Sequence, residues 1–234
     1  MIKYFKKFLS KRKIELSEFD KNNPLGSGGE RVDFIFNQNF DYGKLDMYQK
    51  NHYRRYEFAL KNISVDDICG DFACGSGYGS IMLSDVASKV TGVDINKKVI
   101  ATIKKRYKGN DKVKFINKDL LKLNYQNLYS TIISFETIEH FHEEEICKLF
   151  ALFNKALVAK GKLIFSTPYM QEDSKAAREL GFHQTFFIDE NKIKGWLDIA
   201  EFEDPIFYYQ DYVNHEIIST KRNPDFIICI VTKS

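Results

Sequence analysis

The sequence predicts an α/β fold with a mostly parallel sheet of seven strands and helices on both of its faces. From about residue 64 onward, short runs rich in β-branched and aromatic residues alternate with stretches that have helical spacing. One of these runs ends in an acid followed by closely spaced glycines, a turn that joins a strand to a helix in such folds. The chain of 234 residues is long enough for one such domain with an appendage.

The individual elements follow from composition and from the spacing of apolar residues. The predicted strands are Asp67–Phe72, Lys89–Asp94, Val113–Ile116, Thr131–Phe135, Lys162–Ser166, Ile206–Tyr209 and Phe226–Thr232. The predicted helices are Gly79–Ala87, Lys97–Tyr107, Glu143–Val158 and Asp189–Leu197. The stretch Pro168–Phe187 has no clear period and is predicted to be irregular.

Residues 1–62 are predicted to form an N-terminal helical extension or lid, and residues 63–234 the main domain. Within the extension, residues 46–62 have helical spacing, whereas residues 18–45 have little periodicity. Near the start, basic residues alternate with apolar ones at helical spacing, namely Lys3, Lys6, Lys7, Lys11, Arg12 and Lys13 with Ile2, Phe5, Phe8 and Leu9. This segment is either a solvated terminal helix or a contact for an acidic membrane surface.

The charge of the chain is nearly balanced, with 35 Lys and Arg against 32 Asp and Glu and a formal net charge of +3. That balance argues against a broad nucleic-acid surface, so no nucleic-acid partner is expected. No apolar run approaches the ~20 residues of a membrane-spanning helix, and the amino terminus lacks a signal-peptide pattern. We therefore expect a cytoplasmic protein. Four single cysteines in apolar segments indicate small buried side chains rather than a zinc site.

A glycine-rich turn follows the first predicted strand, in the order Asp71-Phe72-Ala73-Cys74-Gly75-Ser76-Gly77-Tyr78-Gly79. Gly75 and Gly77 let the backbone approach a ligand closely, and the following helix presents its positive end there. Dinucleotide-binding turns carry a third glycine three residues after the second, where this chain has Ser80. Asp71 would repel a pyrophosphate but suits an α-ammonium group, so the turn favours S-adenosylmethionine over NAD.

Two further acids are predicted to bind the same cofactor. Asp94 ends the second strand about twenty residues on, where a carboxylate accepts hydrogen bonds from ribose hydroxyls. Asp119 follows the third strand and is predicted to accept from the adenine amino group, while Leu120 covers the ring. An N-cap of a helix is an equally good interpretation of Asp119.

These motifs together resemble those of class I S-adenosylmethionine-dependent methyltransferases, especially a bacterial branch associated with glycan and capsule biosynthesis. The likeness spans roughly residues 29–190 and rests on Gly29-Glu30-Arg31, His52-Tyr53-Arg54-Arg55-Tyr56-Glu57-Phe58-Ala59, Ala73 to Ser80, Ser134-Phe135-Glu136-Thr137-Ile138-Glu139-His140 and Ser166-Thr167-Pro168. The resemblance implies a Rossmann-like sheet of seven strands. It also implies a cofactor site lined by Asp71, Ala73, Gly75, Gly77, Asp94, Ile95, Asp119, Leu120 and Phe135.

The same resemblance implies a role for Arg55, on the predicted front helix, as a contact of the methionine carboxylate. A surface ion pair is the competing interpretation of Arg55.

An acidic and histidine cluster follows the fourth predicted strand, where open α/β sheets bind their ligands. Glu136, Glu139 and His140 are spaced i, i+3 and i+4, so a helical turn would place all three on one face. This E-x-x-E-H pattern resembles the metal-binding motif of small-RNA 2′-O-methyltransferases and ubiquinone-pathway O-methyltransferases. A further histidine can complete such a site, and His183 is the candidate here.

Two chemical roles are open for this cluster. Glu136, Glu139, His140 and His183 could hold Mg²⁺, Mn²⁺ or Fe²⁺, which would lower the pKa of an acceptor hydroxyl and orient it for attack. Alternatively, the two glutamates cap the next helix and His140 acts as a general base or packs. Glu139, His140 and His183 are the candidate catalytic residues.

The resemblance to the glycan-related branch implies O-methylation of a small molecule. The acceptor would be a hydroxyl of a sugar, a nucleotide-linked intermediate or a capsule or lipopolysaccharide precursor, or a phosphoramidate oxygen. One rival is an NAD-dependent oxidoreductase, which shares the glycine turn and Asp94 but is disfavoured by Asp71 and Ser80. A second rival is a non-catalytic partner subunit, disfavoured because the motifs are intact.

Overall fold

The computed structural model describes residue 25 and residues 31–234 of the chain. Its strands are β1 (Ile68–Phe72), β2 (Lys89–Asp94), β3 (Val113–Asn117), β4 (Tyr129–Phe135), β5 (Leu157–Pro168), β6 (Phe202–Gln210), β7 (Ile217–Ile218) and β8 (Phe226–Lys233). Its helices are α1 (Met47–Leu60), α2 (Tyr78–Ser84), α3 (Lys97–Arg106), α4 (Glu143–Ala156), α5 (Lys175–Leu180) and α6 (Glu190–Ile199). Short 3₁₀ helices span Tyr42–Lys44, Leu120–Lys122 and Ile138–His140.

All the described strands belong to one mixed sheet, in the order β3-β2-β1-β4-β5-β8-β6-β7. The strands β1 to β5 pair in parallel, whereas β8 runs antiparallel between β5 and β6. The predicted mostly parallel α/β fold is confirmed, but the predicted count of seven strands is wrong. The described residues form eight, because Ile217 and Ile218 pair with the end of β6. Two residues are too few to show the alternating period of a strand.

Helices cover both faces of the sheet, as predicted. The neighbouring β4 residues Ile132 and Ile133 belong to different apolar clusters, because successive side chains of a strand point to opposite faces. Ile132 packs with apolar residues of α4 and α6, and Ile133 packs with those of α1 and α2. Three of the cysteines are buried thiols within this core, as predicted, and Cys147 is half-buried.

The described part of the predicted N-terminal extension packs directly on the main domain. Asp46 caps α1 in a capping box with Gln49, which confirms the helix predicted for residues 46–62. Val32, Phe34 and Tyr56 belong to the same buried cluster as residues of β1, β4 and β5. The basic segment at residues 2–13 lies outside the described residues, and the domain boundary at residue 62 stays a prediction.

The stretch predicted to be irregular after β5 contains the short helix α5, capped by the side chain of Ser174. Across the described residues, none of the helices is long and apolar enough to cross a membrane.

Candidate active site

The glycine-rich turn joins the end of β1 to the start of α2. Ala73, Gly75 and Gly77 have φ angles of 62°, 52° and 80°, in the left-handed region that glycine adopts without strain and alanine does not. The backbone N–H of Cys74 donates to the carbonyl of Val93 at 3.0 Å, which anchors the turn to β2. The turn therefore has one fixed shape, held by the neighbouring strand.

Asp71 lies fully buried beneath this turn. Its two carboxylate oxygens accept hydrogen bonds from the Tyr56 hydroxyl at 3.0 Å and from Ser80 Oγ at 2.5 Å. Burial raises the pKa of Asp71 to about 6, although these two hydrogen bonds act in the opposite direction. Asp71 thus joins α1, β1 and α2, a role that the sequence-based pairing with an α-ammonium group did not anticipate.

Asp94 lies at the end of β2, beside the turn. One carboxylate oxygen accepts from the N–H of Gly75 at 3.1 Å and the other from the N–H of Asn96 at 2.7 Å. Next to it, the side chain of Ile95 is 71% exposed, which is unusual for isoleucine and leaves an apolar surface at the predicted cofactor site. Asp94 therefore both shapes the turn and stands at the predicted ribose position.

The remaining predicted cofactor residues occupy neighbouring strand ends. Asp119 caps the 3₁₀ helix Leu120–Lys122 by accepting from the N–H of Leu121 at 2.9 Å, so the N-cap interpretation is confirmed. Leu120 is buried in the core cluster. Phe135, at the end of β4, packs edge-on against Tyr56 with ring centroids 5.1 Å apart.

Arg55 is completely buried, so the surface ion pair considered for it is wrong. Its Nε donates to Gln210 Oε1 at 2.8 Å, its Nη1 lies 3.4 Å from Glu136 Oε1, and its guanidinium packs 4.0 Å from the Phe226 ring centroid. Within the described part of the chain, Nη1 and Nη2 have no hydrogen-bond partner. Burial and the nearby Arg55 charge lower the pKa of His52, which keeps that imidazole neutral.

The segment Glu136–His140 departs from the predicted helical turn. Glu136 has a φ of 49°, and its N–H donates to the carbonyl of Ser166 at 3.0 Å, which continues the pairing between β4 and β5. Helical geometry begins only at Ile138. The prediction that both glutamates and His140 share one face is therefore wrong. The Glu136 carboxylate instead accepts from Ser166 Oγ at 2.8 Å and faces Arg55.

Glu139 is buried in the 3₁₀ helix Ile138–His140. Its Oε2 accepts from Thr167 Oγ1 at 3.0 Å, and Oε1 has no partner among the described residues. Burial first, and the nearby Glu136 second, raise the pKa of Glu139 well above its usual range. A buried carboxyl group with an unpartnered oxygen can be stabilised by a cation or by a proton.

His140 and His183 lie beside Glu139, with ring centroids 5.1 Å apart. His140 Nδ1 is 2.9 Å from the carbonyl of Phe182, which can only accept, so Nδ1 carries a proton and Nε2 is the nitrogen that offers a lone pair in the neutral imidazole. His183 Nδ1 is likewise held by Gln171 Oε1 at 2.7 Å. Hydrogen bonds of this kind orient metal-binding histidines.

Three of the four predicted metal ligands come together. Ligand atoms of Glu139, His140 and His183 all lie within 4.8 Å of one another, whereas Glu136 is outside this group. The unpartnered oxygen of Glu139 and the second ring nitrogen of His140 fit a divalent cation. We refer to Glu139, His140 and His183 as the acceptor-side cluster.

Several residues of the site were missed from the sequence. Gln171 and Gln210 each bond a predicted site residue through the tertiary fold, and no local pattern marks them. Tyr56, which bonds Asp71, lies within the His52–Ala59 motif that carried the family resemblance, but it was given no role. Ser80 was noted only as a missing glycine, yet its hydroxyl binds Asp71. Thr167 lies within a motif that carried the family resemblance, which is the one signal that could have pointed to its bond with Glu139.

Comparison with known proteins finds a match over the part of the chain that contains the glycine turn. A family described as a methyltransferase domain matches residues 70–161, which include the end of β1, the glycine turn and the strands β2 to β4. No protein of curated function is detectably similar to the chain in sequence.

Solved structures show the same fold. An S-adenosylmethionine-dependent methyltransferase from Mesorhizobium loti has a TM-score of 0.64 at 15% identity, over 80% of this chain and 100% of the other. The N-methyltransferase NodS from Bradyrhizobium japonicum WM9, in complex with S-adenosyl-L-homocysteine, has a TM-score of 0.61 at 14% identity, over 81% and 89% of the two chains. Residues 70–161 therefore match a methyltransferase domain, and the chain has the fold of S-adenosylmethionine-dependent methyltransferases.

Proposed function

We propose that the chain is an S-adenosylmethionine-dependent O-methyltransferase that acts on a hydroxyl of a small molecule with the help of a divalent metal. The observation that carries this proposal is the acceptor-side cluster just beyond β4, next to the glycine turn that follows β1. Because β1 and β4 pair in parallel, their carboxyl ends meet at one edge of the sheet. Ligands of open α/β sheets bind at that edge.

On the cofactor side, the chain supplies groups that match each part of S-adenosylmethionine. Asp94 accepts from the ribose hydroxyls, and Ile95, Asp119 and Leu120 border the adenine. The turn at Ala73, Gly75 and Gly77 allows the methionine part of the cofactor to approach the backbone closely. Phe135, at the end of β4, borders the same part of the cofactor. The buried guanidinium of Arg55, whose two Nη atoms have no hydrogen-bond partner among the described residues, binds the methionine carboxylate. Asp71 acts indirectly, by holding Tyr56 and Ser80 around the turn.

On the acceptor side, two imidazoles and one carboxylate suit Mn²⁺ or Fe²⁺ better than Mg²⁺, which prefers oxygen ligands. A divalent metal held there would lower the pKa of the acceptor hydroxyl. The alternative is that His140 Nε2 accepts the hydroxyl proton directly, as a general base. The two roles exclude each other because both use the same nitrogen. With a metal, the hydroxyl proton would pass to solvent water; with the general base, it passes to His140. In either case the acceptor oxygen gains the methyl group, the C–S bond breaks, and S-adenosylhomocysteine leaves.

We propose a sugar, a nucleotide-linked intermediate or a capsule or lipopolysaccharide precursor as the acceptor, or a phosphoramidate oxygen. This identity rests on the motif resemblance to the glycan-related branch. A nitrogen acceptor is the second candidate, because the structural neighbour NodS is named as an N-methyltransferase. The acceptor-side cluster favours oxygen, since a neutral amine is already nucleophilic and needs no metal to lower its pKa.

A methyl-transfer screen with labelled S-adenosylmethionine tests the proposal. The acceptors would be nucleotide-linked sugars, capsule precursors and matched amino sugars, each assayed after chelation and after addition of Mn²⁺, Fe²⁺ or Mg²⁺. We expect transfer to a hydroxyl that chelation abolishes and Mn²⁺ or Fe²⁺ restores best. Full transfer after exhaustive chelation would rule out a metal requirement and would leave His140 as the general base. Transfer only to amines would overturn the proposed O-methylation.

A further inference from the structure

A buried glutamine at the far end of the chain contacts the arginine proposed to bind the cofactor. Gln210 is the last residue of β6 and is 1% exposed. Its Oε1 accepts from Arg55 Nε at 2.8 Å, although the two residues are 155 positions apart. Any role of this contact in cofactor recognition rests on the proposed binding of the methionine carboxylate by Arg55.

The hydrogen bonds of Gln210 fix its orientation completely. Its Nε2 donates to the carbonyl of Asn51 at 3.2 Å and to the carbonyl of His215 at 3.0 Å. Since carbonyls only accept, the amide nitrogen must face them and the amide oxygen must face Arg55. Asn51 and Arg55 lie one turn apart on α1, so Gln210 holds one turn of this helix to the connection between β6 and β7.

These hydrogen bonds determine which nitrogens of Arg55 are left to bind a ligand. The guanidinium is planar, with Nε on one edge and the two Nη atoms forming a fork that matches a carboxylate. Gln210 occupies Nε, and the Phe226 ring packs 4.0 Å from the guanidinium. Glu136 faces only Nη1, at 3.4 Å, and Nη1 and Nη2 have no hydrogen-bond partner among the described residues.

Nη1 is paired with Glu136 only as an ion pair, and neither Nη1 nor Nη2 has a hydrogen-bond partner among the described residues, so the fork can still donate to an anionic ligand. We propose that Gln210 is a positioning residue, which holds Arg55 through Nε so that its two Nη atoms face the α-carboxylate of S-adenosylmethionine. The antiparallel end of the sheet thereby takes part in recognising a cofactor that otherwise binds at the parallel strands.

The test compares two ligands that differ only in the group Arg55 recognises. Isothermal titration calorimetry would measure the affinities of S-adenosylhomocysteine and of its decarboxylated analogue for the wild-type chain, Gln210→Met and Gln210→Glu. Methionine keeps the length of the side chain but forms none of the three hydrogen bonds of Gln210. Glutamate keeps an acceptor for Nε, but its negative charge neutralises the guanidinium. Gln210→Glu is therefore a second variant that acts by a different cause.

The matched control is Gln49→Met. Gln49 is another buried glutamine, on the same helix, and its Nε2 donates to the carbonyl of Asp33 at 2.8 Å, away from Arg55. This variant removes a comparable internal contact of α1 and so controls for a general loosening of the helix.

We expect the wild-type chain and Gln49→Met to prefer S-adenosylhomocysteine over the decarboxylated analogue. Both Gln210 variants should lose about tenfold or more in affinity for S-adenosylhomocysteine and much less for the analogue, so that the preference collapses. Equal losses for both ligands, or a preference unchanged in both variants, would overturn the positioning role. If the wild-type chain binds neither ligand, it is the proposed function that fails.

Discussion

The two sides of the candidate site are built in different ways. The part of the cofactor side that the sequence marks, from Asp71 to Asp94, comprises β1, the glycine turn, α2 and β2, and its shape is fixed by the pairing of the two strands and by the bond from Gly75 N–H to Asp94. The acceptor-side cluster combines Glu139 and His140 with His183, which lies beyond β5 and α5. A motif within one strand-turn-helix unit can be recognised from the local sequence. The acceptor-side cluster, by contrast, depends on how the loop that carries His183 packs against Glu139 and His140.

That docking is achieved by backbone contacts at the cluster itself. The N–H groups of Gln184 and Thr185 both donate to the carbonyl of Glu139, at 2.8 Å and 3.2 Å. Thr185 Oγ1 also donates to the carbonyl of Phe141 at 2.7 Å. The loop that carries His183 is therefore fastened to the segment that carries Glu139 and His140. Substitutions in the acceptor-side cluster should therefore lower the rate of methyl transfer more than the affinity for the cofactor.

The largest expected effect is that of Glu139→Gln. The amide keeps the shape of the side chain but loses the charge needed for a cation, so methyl transfer should fall about 1,000-fold. Affinity for S-adenosylhomocysteine should stay within about twofold in calorimetry, because the cofactor side is unchanged. His142→Gln, at an exposed histidine outside the cluster, is the control and should retain full activity. An equally large loss of cofactor affinity would show that the two sides are not separate.

Asp71→Asn tests the buried carboxyl of the cofactor side through the pH dependence of stability. The pKa of Asp71 is raised from 3.8 to about 6 in the folded state, so between these values the folded chain holds a proton that the unfolded chain has released. Stability from this group is complete at low pH and is lost as the pH rises through about 6. Relative to Asp71→Asn, the wild-type free energy of unfolding should therefore fall by about 2.5 kcal/mol from pH 4 to pH 7.

Denaturant unfolding across this pH range measures the difference. The Tyr56 and Ser80 hydroxyls can reorient to bond the asparagine amide, so the variant should fold. Parallel pH profiles for the two proteins would show that Asp71 is ionised in the folded state throughout.

Asp94→Ala removes the proposed ribose acceptor and the partner of the Gly75 N–H. We expect affinity for S-adenosylhomocysteine to fall about 50-fold, while the rate at saturating cofactor changes little. Steady-state kinetics at varied cofactor concentration separates the two effects. Asp85→Ala, at an exposed acid after α2, provides the control. A lower rate at saturation with an unchanged KM would place Asp94 outside the cofactor site.

The smallest effect concerns the contact that holds α1 against the cofactor turn. A Cβ atom on Gly79 would lie 1.9 Å from Cζ of Tyr56, so Gly79→Ala should destabilise the fold by about 2 kcal/mol. A Cβ on Gly195, in the middle of α6, meets nothing within 4 Å, and Gly195→Ala should stabilise the chain by about 1 kcal/mol. Thermal unfolding would measure the stability of the two variants against that of the wild-type chain. If Gly79→Ala and Gly195→Ala changed the stability equally, α1 would not pack closely on the turn.

The same contrast explains what could be predicted from the sequence. The turn at Asp71–Gly79, Asp94 at the end of β2, and the helix ahead of the domain follow from local composition and spacing, and the structure has them where they were expected. The strand β7 and the helix α5 were missed because two and six residues carry little periodic signal.

The sequence spacing of Glu136, Glu139 and His140 predicted the wrong geometry. An i, i+3, i+4 pattern places residues on one face only if the backbone is helical throughout, and the positive φ of Glu136 breaks that condition. Gln171 and Gln210 could not be inferred, because each bonds its partner through tertiary folding and stands in no motif. His183 was reached only through the family resemblance.

The most direct test of the central claim, that the turn after β1 binds S-adenosylmethionine, is a calorimetric titration of the wild-type chain with S-adenosylhomocysteine and with NAD⁺. The proposal predicts binding of one S-adenosylhomocysteine per chain and no binding of NAD⁺. Binding of NAD⁺ without binding of S-adenosylhomocysteine would contradict it and would favour an NAD-dependent oxidoreductase.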